Sequence, residues 1–312
     1  MERGVDTESV RMLEEVRKGG LLTAPVVAML SGGRDSVCLL DLAVRLLGPG
    51  AVTALHVNYG LRDDSGEDER HCAALCEGLG VGLEVDRPRR PEGPGNLQAW
   101  ARDARYAAAA RIALPAGATI ATGHTADDQV ETILYRLASS PSRRALLGMR
   151  PHDGKLMRPL LPFTREQTTT YCEERGLVWR DDATNAELTF ARGRVRHGLV
   201  PALKAIHPAA AENVLRTAAL LRDEAEVLDA LVDAEIEGKE RGTLTLERLA
   251  ELPPALRRLV VQRLADRAAG RPVPGAANHA DEVAALRRTG TAMLDLGGGV
   301  RAVAERGVLY CR

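Results

Sequence analysis

The segment with the clearest chemistry is a glycine loop, Ser31-Gly32-Gly33-Arg34-Asp35-Ser36. A short apolar run ends at Leu30, and a run with helical periodicity extends from Ser36 to Leu47. Glycines let the backbone approach an anion closely, and the first N–H groups of a helix point towards it. The segment therefore predicts a phosphate site rather than an ordinary turn. It is not a Walker A loop, because no Gly-Lys-Ser/Thr sequence ends it.

A second segment, Gly123–Thr132, follows another apolar run and opens a predicted helix. It contains His124, Asp127, Asp128 and Glu131. Residues three or four apart share a helix face, so Glu131 can lie beside either aspartate. Acids in a first helical turn are also common as caps or partners of the helix dipole. Carboxylates clustered beside a phosphate loop suit two tasks, holding Mg²⁺ on ATP or binding an ammonium group.

Alternating strands and helices must position these two segments. Short apolar runs occur at 26–30, 52–57, 81–85 and 118–122, and helical patterns occur at 36–47, 66–79, 97–113 and 125–138. This alternation predicts an α/β fold with a doubly wound parallel sheet. Such sheets bind ligands at the carboxyl ends of their strands, which is where both segments would lie.

The alternation ends near Leu137. Residues 141–203 predict an irregular, basic extension, and the patterns at 213–235 and 253–267 predict helices. Residues 293–296 and 300–303 predict two strands around a glycine turn. We therefore expect one domain over residues 1–207 and a smaller, mainly helical domain over residues 208–312.

Composition limits the class of protein. The chain has 312 residues, a net charge of −1 and 27% charged residues, which is ordinary for a globular protein. From Arg136 to Lys204, however, 13 lysines and arginines face seven acids. A local basic face fits a phosphate-rich partner, although a solvated surface is equally compatible with it.

Other features bear on location and metal binding. The charged N-terminal residues do not resemble a signal peptide, and no apolar run approaches the length of a membrane span, so we expect a cytoplasmic protein without membrane association. Cys72 and Cys76 are one helical turn apart but lack further ligands, so helix packing is the better interpretation.

Several motifs together resemble one family. The glycine loop resembles the pyrophosphatase loop of enzymes that cleave ATP between its α- and β-phosphates. With Gly123–Thr132, it resembles the tRNA(Ile)-lysidine synthases. The resemblance extends over roughly residues 25 to 204, and the further motifs are 56–62, 101–106, 158–161, 182–185, 192–196 and 201–203.

The resemblance implies an adenine nucleotide alpha hydrolase-like fold and a specific reaction. Such an enzyme adenylates the C2 oxygen of the wobble cytidine in isoleucine tRNA with a CAU anticodon. Free lysine then displaces AMP to give lysidine. The implied cofactors are ATP and Mg²⁺. The smaller domain would contact tRNA, and the resemblance leaves open whether the protein forms a homodimer.

The resemblance also assigns roles to residues. The loop from Ser31 to Ser36 would bind pyrophosphate, with Asp35 placing Mg²⁺. Catalytic assistance would come from Asp35, Arg102, Arg105 and His124. The lysine ligands would be Asp127, Asp128 and Glu131. The tRNA contacts would be Arg192, Arg194 and Arg196.

Two departures and three alternatives accompany this interpretation. The family usually has histidine at Tyr59 and asparagine at Gly193. One alternative is a tRNA thiolase, although the Cys-x-x-Cys pairs of its iron–sulfur form are absent from the sequence. The second is an enzyme that adenylates a small molecule, and the third is an inactive nucleotide- or RNA-binding module.

Overall fold

The computed structural model describes residues 7–61, 65–90, 96–140, 143–180, 191–237 and 242–312. The chain divides into two compact units, one ending at Ala219 and the other beginning at Leu220. The sequence predicts a boundary near residue 207. The observed division lies further along the chain, inside a helix that begins at Ala210. This helix runs from one unit into the other without interruption, so the sequence pattern carries no signal at the division.

The first unit alternates strands and helices. Its strands are β1 (Val26–Met29), β2 (Val52–Val57), β3 (Gly82–Asp86), β4 (Thr119–Ala121), β5 (His152–Asp153) and β6 (Leu156–Met157). Its helices are α1 (Glu8–Gly19), α2 (Arg34–Leu47), α3 (Ser65–Leu79), α4 (Leu97–Ala113), α5 (Ala126–Ser139), α6 (Arg143–Leu146), α7 (Arg165–Glu174), α8 (Ala191–Arg194) and α9 (Val200–Ile206), followed by α10 (Ala210–Glu235), which crosses the division.

The strands form one sheet in the order β3-β2-β1-β4-β6-β5. Neighbouring strands are parallel except β5, which is antiparallel to β6. Side chains of β1 alternate between the faces: Val26 and Ala28 pack with residues of α1, α2, α3 and α7, and Val27 and Met29 pack with residues of α4. Because both faces are buried, β1 is continuously apolar, and the predicted doubly wound parallel sheet is confirmed.

The segment predicted as an irregular extension contains regular structure. β6 joins the sheet beside β4, and α7 packs Tyr171 and Cys172 into the core. Two residues are too few for β6 to show a periodic pattern, and the consecutive threonines at 168–170 weaken the helical pattern of α7. A capping box of Thr164 and Gln167 does mark the start of α7, and the sequence carries that signal.

The second unit combines helices with an antiparallel sheet. Beyond α10 it contains β7 (Leu244–Thr245), α11 (Leu246–Glu251), α12 (Pro254–Ala269), α13 (Ala280–Ala284), β8 (Thr291–Gly297), β9 (Val300–Glu305) and β10 (Val308–Cys311). The strand order is β7-β10-β9-β8. The two predicted strands correspond to β8 and β9. Among the described residues, every helix is too short or too polar to cross a membrane.

Candidate active site

The glycine loop connects β1 to α2 and is held in shape by its own hydroxyl groups. The Ser36 hydroxyl donates to the carbonyl oxygen of Gly33 at 2.7 Å and accepts the amide of Ser31 at 3.1 Å. Gly32 has a φ of +86°, and a Cβ there would lie 3.3 Å from Sγ of Cys72. The loop thus presents a fixed backbone at the N-terminus of α2, which is the geometry that an anion site needs.

The loop after β4 reaches the same place through Gly123. A Cβ on Gly123 would lie 2.8 Å from the carbonyl oxygen of Asp35 and 3.1 Å from the amide nitrogen of Ser36. Real Cβ atoms essentially never come within 3.0 Å of another heavy atom, and a backbone carbonyl cannot rotate out of the way. The absence of a side chain at Gly123 therefore lets the two predicted segments meet.

Asp35 is oriented by neighbours on two helices. Its Oδ1 accepts the hydroxyl of Thr168 at 2.6 Å and Nε of Arg34 at 3.0 Å. Thr168 belongs to α7, which is distant from the loop along the chain. The carboxylate of Asp35 is therefore fixed at the first turn of α2 and lines the cavity described next.

A cavity of about 680 Å³ is lined by both segments, within the range of roughly 300–1,000 Å³ usual for ligand sites. It brings together most of the predicted site residues. Those lining it are Ser31, Gly33, Arg34, Asp35, Ser36, Arg105, His124, Asp128 and Arg196. Predicted residues outside this lining are Gly32, Arg102, Asp127, Glu131, Arg192 and Arg194.

The acidic cluster is already paired with two guanidinium groups. Arg165 donates to Oε1 of Glu131 at 2.8 Å and to Oδ1 of Asp128 at 2.6 Å. Arg196 donates to the same oxygen of Glu131 at 2.7 Å. The side chain of Glu131 is only 7% exposed, so this pairing offsets the cost of burying its charge. The cluster consequently presents charges of both signs.

Both aspartates also have local roles as caps. Asp127 accepts the backbone amide of Arg165 at 2.8 Å, at the start of α7. Asp128 accepts the amide of Thr125 at 2.9 Å in a capping box. Burial raises the pKa of Asp128, but the charge of Arg165 and the amide of Thr125 outweigh it, so the net pKa lies below its ordinary value. Capping accounts for Asp127, whereas Asp128 also lines the cavity.

His124 is a neutral group at physiological pH. Burial lowers its pKa to about 4; the carboxylate of Asp128 opposes this shift, and the guanidinium groups of Arg158 and Arg105 reinforce it. Its Nδ1 lies 2.8 Å from the hydroxyl oxygen of Thr122, at the end of β4. An uncharged imidazole in this place can contribute a hydrogen bond without adding a charge.

The two predicted arginines of α4 differ in position. The guanidinium groups of Arg102 and Arg105 lie 4.9 Å and 5.5 Å from the ring centroid of Tyr106. Arg105 lines the cavity, whereas Arg102 is exposed and outside it. These cation–π contacts fix both guanidinium groups on one side of α4.

The three arginines predicted to contact tRNA lie on a single irregular helical segment. α8 passes through a π-helical turn, Val195–Leu199, into α9, and such turns are frequent at functional sites. Arg192 donates to the hydroxyl of Thr132 on α5 at 2.9 Å. Arg196 turns inward to the acidic cluster instead of lying on the surface.

Three contributors were not predicted from the sequence. Arg165 neutralises the acidic cluster, and Thr168 orients Asp35. Arg180 donates its amide to the carbonyl oxygen of Gly32 at 3.0 Å and its side chain to Asp68 at 2.7 Å. The capping box marks the start of α7 in the sequence, but no local signal indicates which distant residues these three contact.

Comparisons with known proteins agree with this geometry. A family model described as a PP-loop domain matches residues 6–203. The chain is 37% identical over 294 residues to the tRNA(Ile)-lysidine synthase of Thermobifida fusca, covering 91% of this chain and 87% of that protein. This chain belongs to the tRNA(Ile)-lysidine synthase family.

Other relatives in the family are longer. The tRNA(Ile)-lysidine synthase of Dehalococcoides mccartyi is 32% identical over 284 residues, and that of Thermus thermophilus is 38% identical over 257 residues. The match includes 83% and 80% of this chain but only 60% and 50% of those proteins, respectively. The chain thus corresponds to little more than half of these two proteins.

Among solved structures, the fold is similar to that of a U34-tRNA thiolase from Methanococcus maripaludis that contains a 4Fe-4S cluster. The TM-score is 0.57, the sequence identity is 18%, and the match covers 68% of this chain and 78% of that one. At this identity the likeness concerns the fold alone.

In the present chain Cys72 and Cys76 are buried in the core, as predicted, and burial raises their pKa to about 12 and about 11.

The two departures from the lysidine synthase family pattern have definable settings. The Tyr59 hydroxyl donates to the carbonyl oxygen of Ala101 at 3.0 Å, and its ring packs edge-on against Trp100. Tyr59 thereby ties the cavity wall to α4. Gly193 lies within α8, where glycine weakens a helix by roughly 1 kcal/mol relative to alanine. The family motif at 182–185 and Arg62 lie outside the described residues.

Proposed function

We propose that this protein joins lysine to C2 of the wobble cytidine in the CAU anticodon of isoleucine tRNA, consuming ATP and giving lysidine, AMP and pyrophosphate. Family membership supports this assignment. The observation that carries it is the cavity in which a phosphate-type loop, a neutral histidine and a cluster of both charges face one space. Each of these features serves a different part of the reaction.

In the first step the C2 oxygen attacks the α-phosphorus of ATP, and pyrophosphate leaves. The backbone of the Ser31–Ser36 loop would bind the departing pyrophosphate. Mg²⁺ is usually bound by one or two carboxylates together with phosphate oxygens, and the oriented carboxylate of Asp35 fits that pattern. Arg105, which lines the cavity, would stabilise the charge that develops on the phosphate oxygens.

His124 would act in this step as a neutral hydrogen-bond donor. Its lowered pKa keeps the ring uncharged, and the tautomer with its proton on Nε2 would accept the Thr122 hydroxyl at Nδ1. A donor at this position would bind an α-phosphate oxygen or the adenylated cytidine. Such a donor would orient the phosphate without adding a charge.

In the second step the neutral ε-amine of lysine attacks C2, and AMP leaves with the former carbonyl oxygen. The incoming lysine is a zwitterion, and the cluster of Asp128, Glu131, Arg165 and Arg196 offers carboxylates and guanidinium groups together. Asp128 lines the cavity and is the carboxylate best placed for the amine. Asp127 supports it by holding the start of α7.

The cytidine must leave the base stack to reach the cavity, as base-modifying enzymes generally require. The anticodon loop is single-stranded, so the energetic cost is lower than in a duplex. Arg192 and Arg194, on α8 beside the π-helical turn, would bind backbone phosphates. The second compact unit would contact a more distant part of the tRNA.

The direct test is incorporation of labelled lysine into an isoleucine tRNA transcript with a CAU anticodon, in the presence of Mg²⁺-ATP. A methionine tRNA transcript with the same anticodon is the control. We expect incorporation into the isoleucine tRNA only, with pyrophosphate release that depends on tRNA. Pyrophosphate release without tRNA and without lysine incorporation would instead indicate adenylation of a small molecule.

A further inference from the structure

Five arginines lie near one another in the first unit. They lie on α4, α5, α8 and the segment after β6. Among the described residues, none of the five takes part in an ion pair. These arginines are Arg102, Arg105, Arg136, Arg158 and Arg192. We refer to this group as the arginine cluster.

The cluster is anchored by neutral groups. Arg136 donates to the carbonyl oxygen of Gly148 at 2.7 Å, and Arg158 donates to the carbonyl oxygen of Arg150 at 2.6 Å. The side-chain amide of Gln129 binds both the amide and the carbonyl of Met149, between these two acceptors. The two guanidinium groups are therefore held by one short segment that α5 fixes in place.

Unused hydrogen-bonding groups concentrate in the same place. Among the described residues, four buried side-chain nitrogen or oxygen atoms have no hydrogen-bond partner. Three of them are Nε of Arg105, the hydroxyl of Tyr106 and Nε of Arg158. Arg158 is only 6% exposed. Leaving buried polar groups unpaired is costly, so their concentration indicates a missing partner that accepts hydrogen bonds.

The positive charges of the cluster also repel one another, which lowers the pKa of two of its members. Burial lowers the pKa of Arg136, and Arg192, Arg102 and Arg158 lower it further. Burial likewise lowers the pKa of Arg158, while Tyr106 and Asp153 oppose that shift. An anion bound among these groups would relieve the repulsion between them.

The position of the cluster separates it from the glycine loop. Along the carboxyl edge of the sheet, the glycine loop follows β1, His124 follows β4 and Arg158 follows β6. Neighbouring strands are about 4.8 Å apart, so Arg158 emerges roughly two strand spacings from the loop. Only Arg105 belongs to both the cluster and the cavity lining.

We infer that the arginine cluster is a subsite for a backbone phosphate of the RNA substrate, next to the nucleotide that enters the cavity. This inference rests on the proposed function in taking tRNA as the occupant. The phosphate oxygens accept hydrogen bonds from Arg158, Arg136 and the Tyr106 hydroxyl, and Arg102 and Arg192 close the subsite from α4 and α8. Phosphates of ATP stay at the glycine loop, on the other side of His124.

The test measures binding of a fluorescent isoleucine tRNA transcript by anisotropy, over a series of potassium chloride concentrations. The variant is Arg136→Gln/Arg192→Gln. We expect its Kd to rise tenfold or more at physiological salt. The slope of log Kd against log salt should become shallower by about 0.7 for each phosphate that the variant no longer neutralises. The affinity for a non-hydrolysable ATP analogue should change less than twofold.

Matched controls keep the result interpretable. Arg17→Gln/Lys18→Gln removes two exposed charges from α1 and should leave the salt slope unchanged. Arg136→Lys/Arg192→Lys should recover most of the slope. If the glutamine variant unfolds, Arg102→Gln provides a second test, because that side chain is exposed and contacts the Tyr106 ring.

The outcomes distinguish this inference from the proposed function. A wild-type slope and Kd in the glutamine variant, from a protein that incorporates lysine, would overturn the phosphate subsite alone. An equal loss of affinity for the ATP analogue would reassign the cluster to ATP. An arginine-dependent slope in a protein that incorporates no lysine would support the RNA subsite and remove the proposed reaction.

Discussion

Gly123 and Asp35 approach so closely that a single added carbon at Gly123 would lie 2.8 Å from the carbonyl oxygen of Asp35. This contact joins the loop after β4 to the first turn of α2. The relative placement of His124 and the glycine loop depends on it. The contact is made by backbone atoms, which cannot rotate away as a side chain can.

We therefore expect Gly123→Ala to separate the two loops and to lower the affinity for ATP by at least tenfold. The added methyl group should also cost about 1–3 kcal/mol of folding free energy, as overpacking does in cores. Urea unfolding and titration with a non-hydrolysable ATP analogue measure the two effects. Gly78→Ala, on an exposed face of α3 with no atom near its Cβ position, is the control and should be neutral or stabilising.

Thr168 should control the chemistry through Asp35. In Thr168→Val the carboxylate loses the 2.6 Å hydrogen bond that orients it. A hydrogen bond to a charged group is worth roughly 1.5–3 kcal/mol, so tRNA-dependent pyrophosphate release should fall about tenfold or more. Asp35→Ala should abolish it. Thr170→Val, which alters an exposed hydroxyl of the same helix, should retain the wild-type rate; a similar loss there would point to a general effect on α7.

Glu131 should affect the use of lysine more than the use of ATP. Glu131→Gln preserves the shape of the side chain but leaves Arg165 and Arg196 with less negative charge nearby. We expect KM for lysine to rise about tenfold, with KM for ATP within twofold of wild type. Steady-state lysine incorporation measures both values, and Glu166→Gln on the surface of α7 is the control. An unchanged dependence on lysine concentration would contradict the assignment.

The pKa of His124 leads to a prediction about pH. Its pKa is about 4 in the folded protein and about 6.5 in an unfolded chain, so the unfolded state binds more protons between these values. The free energy of unfolding is therefore unaffected by this group above about pH 6.5, and it decreases as the pH falls from 6.5 towards 4. Between pH 7 and pH 5 we expect a loss of at most about 2 kcal/mol from this group.

Urea unfolding at the two pH values, compared with His124→Asn, isolates this contribution. The variant should show a smaller decrease in the free energy of unfolding over the same interval. NMR titration of the imidazole gives an independent value. A midpoint near pH 6.5 in the folded protein would show that His124 is charged during part of the physiological range.

The sequence predicted those parts of the site whose residues are close together along the chain. The glycine loop and the segment from His124 to Glu131 each combine a strand end, a turn and a helix start within a dozen residues. Local geometry alone therefore brings them to the carboxyl edge of the sheet. The prediction of the parallel sheet follows from the same regular alternation.

The partners of the acidic residues were beyond such reasoning. Arg165 is 34 residues from Glu131 along the chain, and Arg196 is 65 residues from it. Nothing in the local pattern distinguishes these arginines from those that contact solvent or phosphate. Their pairing depends on where α7 and the π-helical turn pack, which only the folded chain determines.

The first turn of α7 has a thermodynamic consequence. Arg165 holds the acidic cluster and Thr168, one turn later, holds Asp35, while the Thr168 hydroxyl also contacts the carbonyl oxygen of Arg165 at 3.1 Å. A ligand that displaces the first turn of α7 would disturb both sets of contacts. We therefore expect the proposed lysine and ATP sites to be energetically coupled, so that each ligand changes the affinity of the other by the same factor.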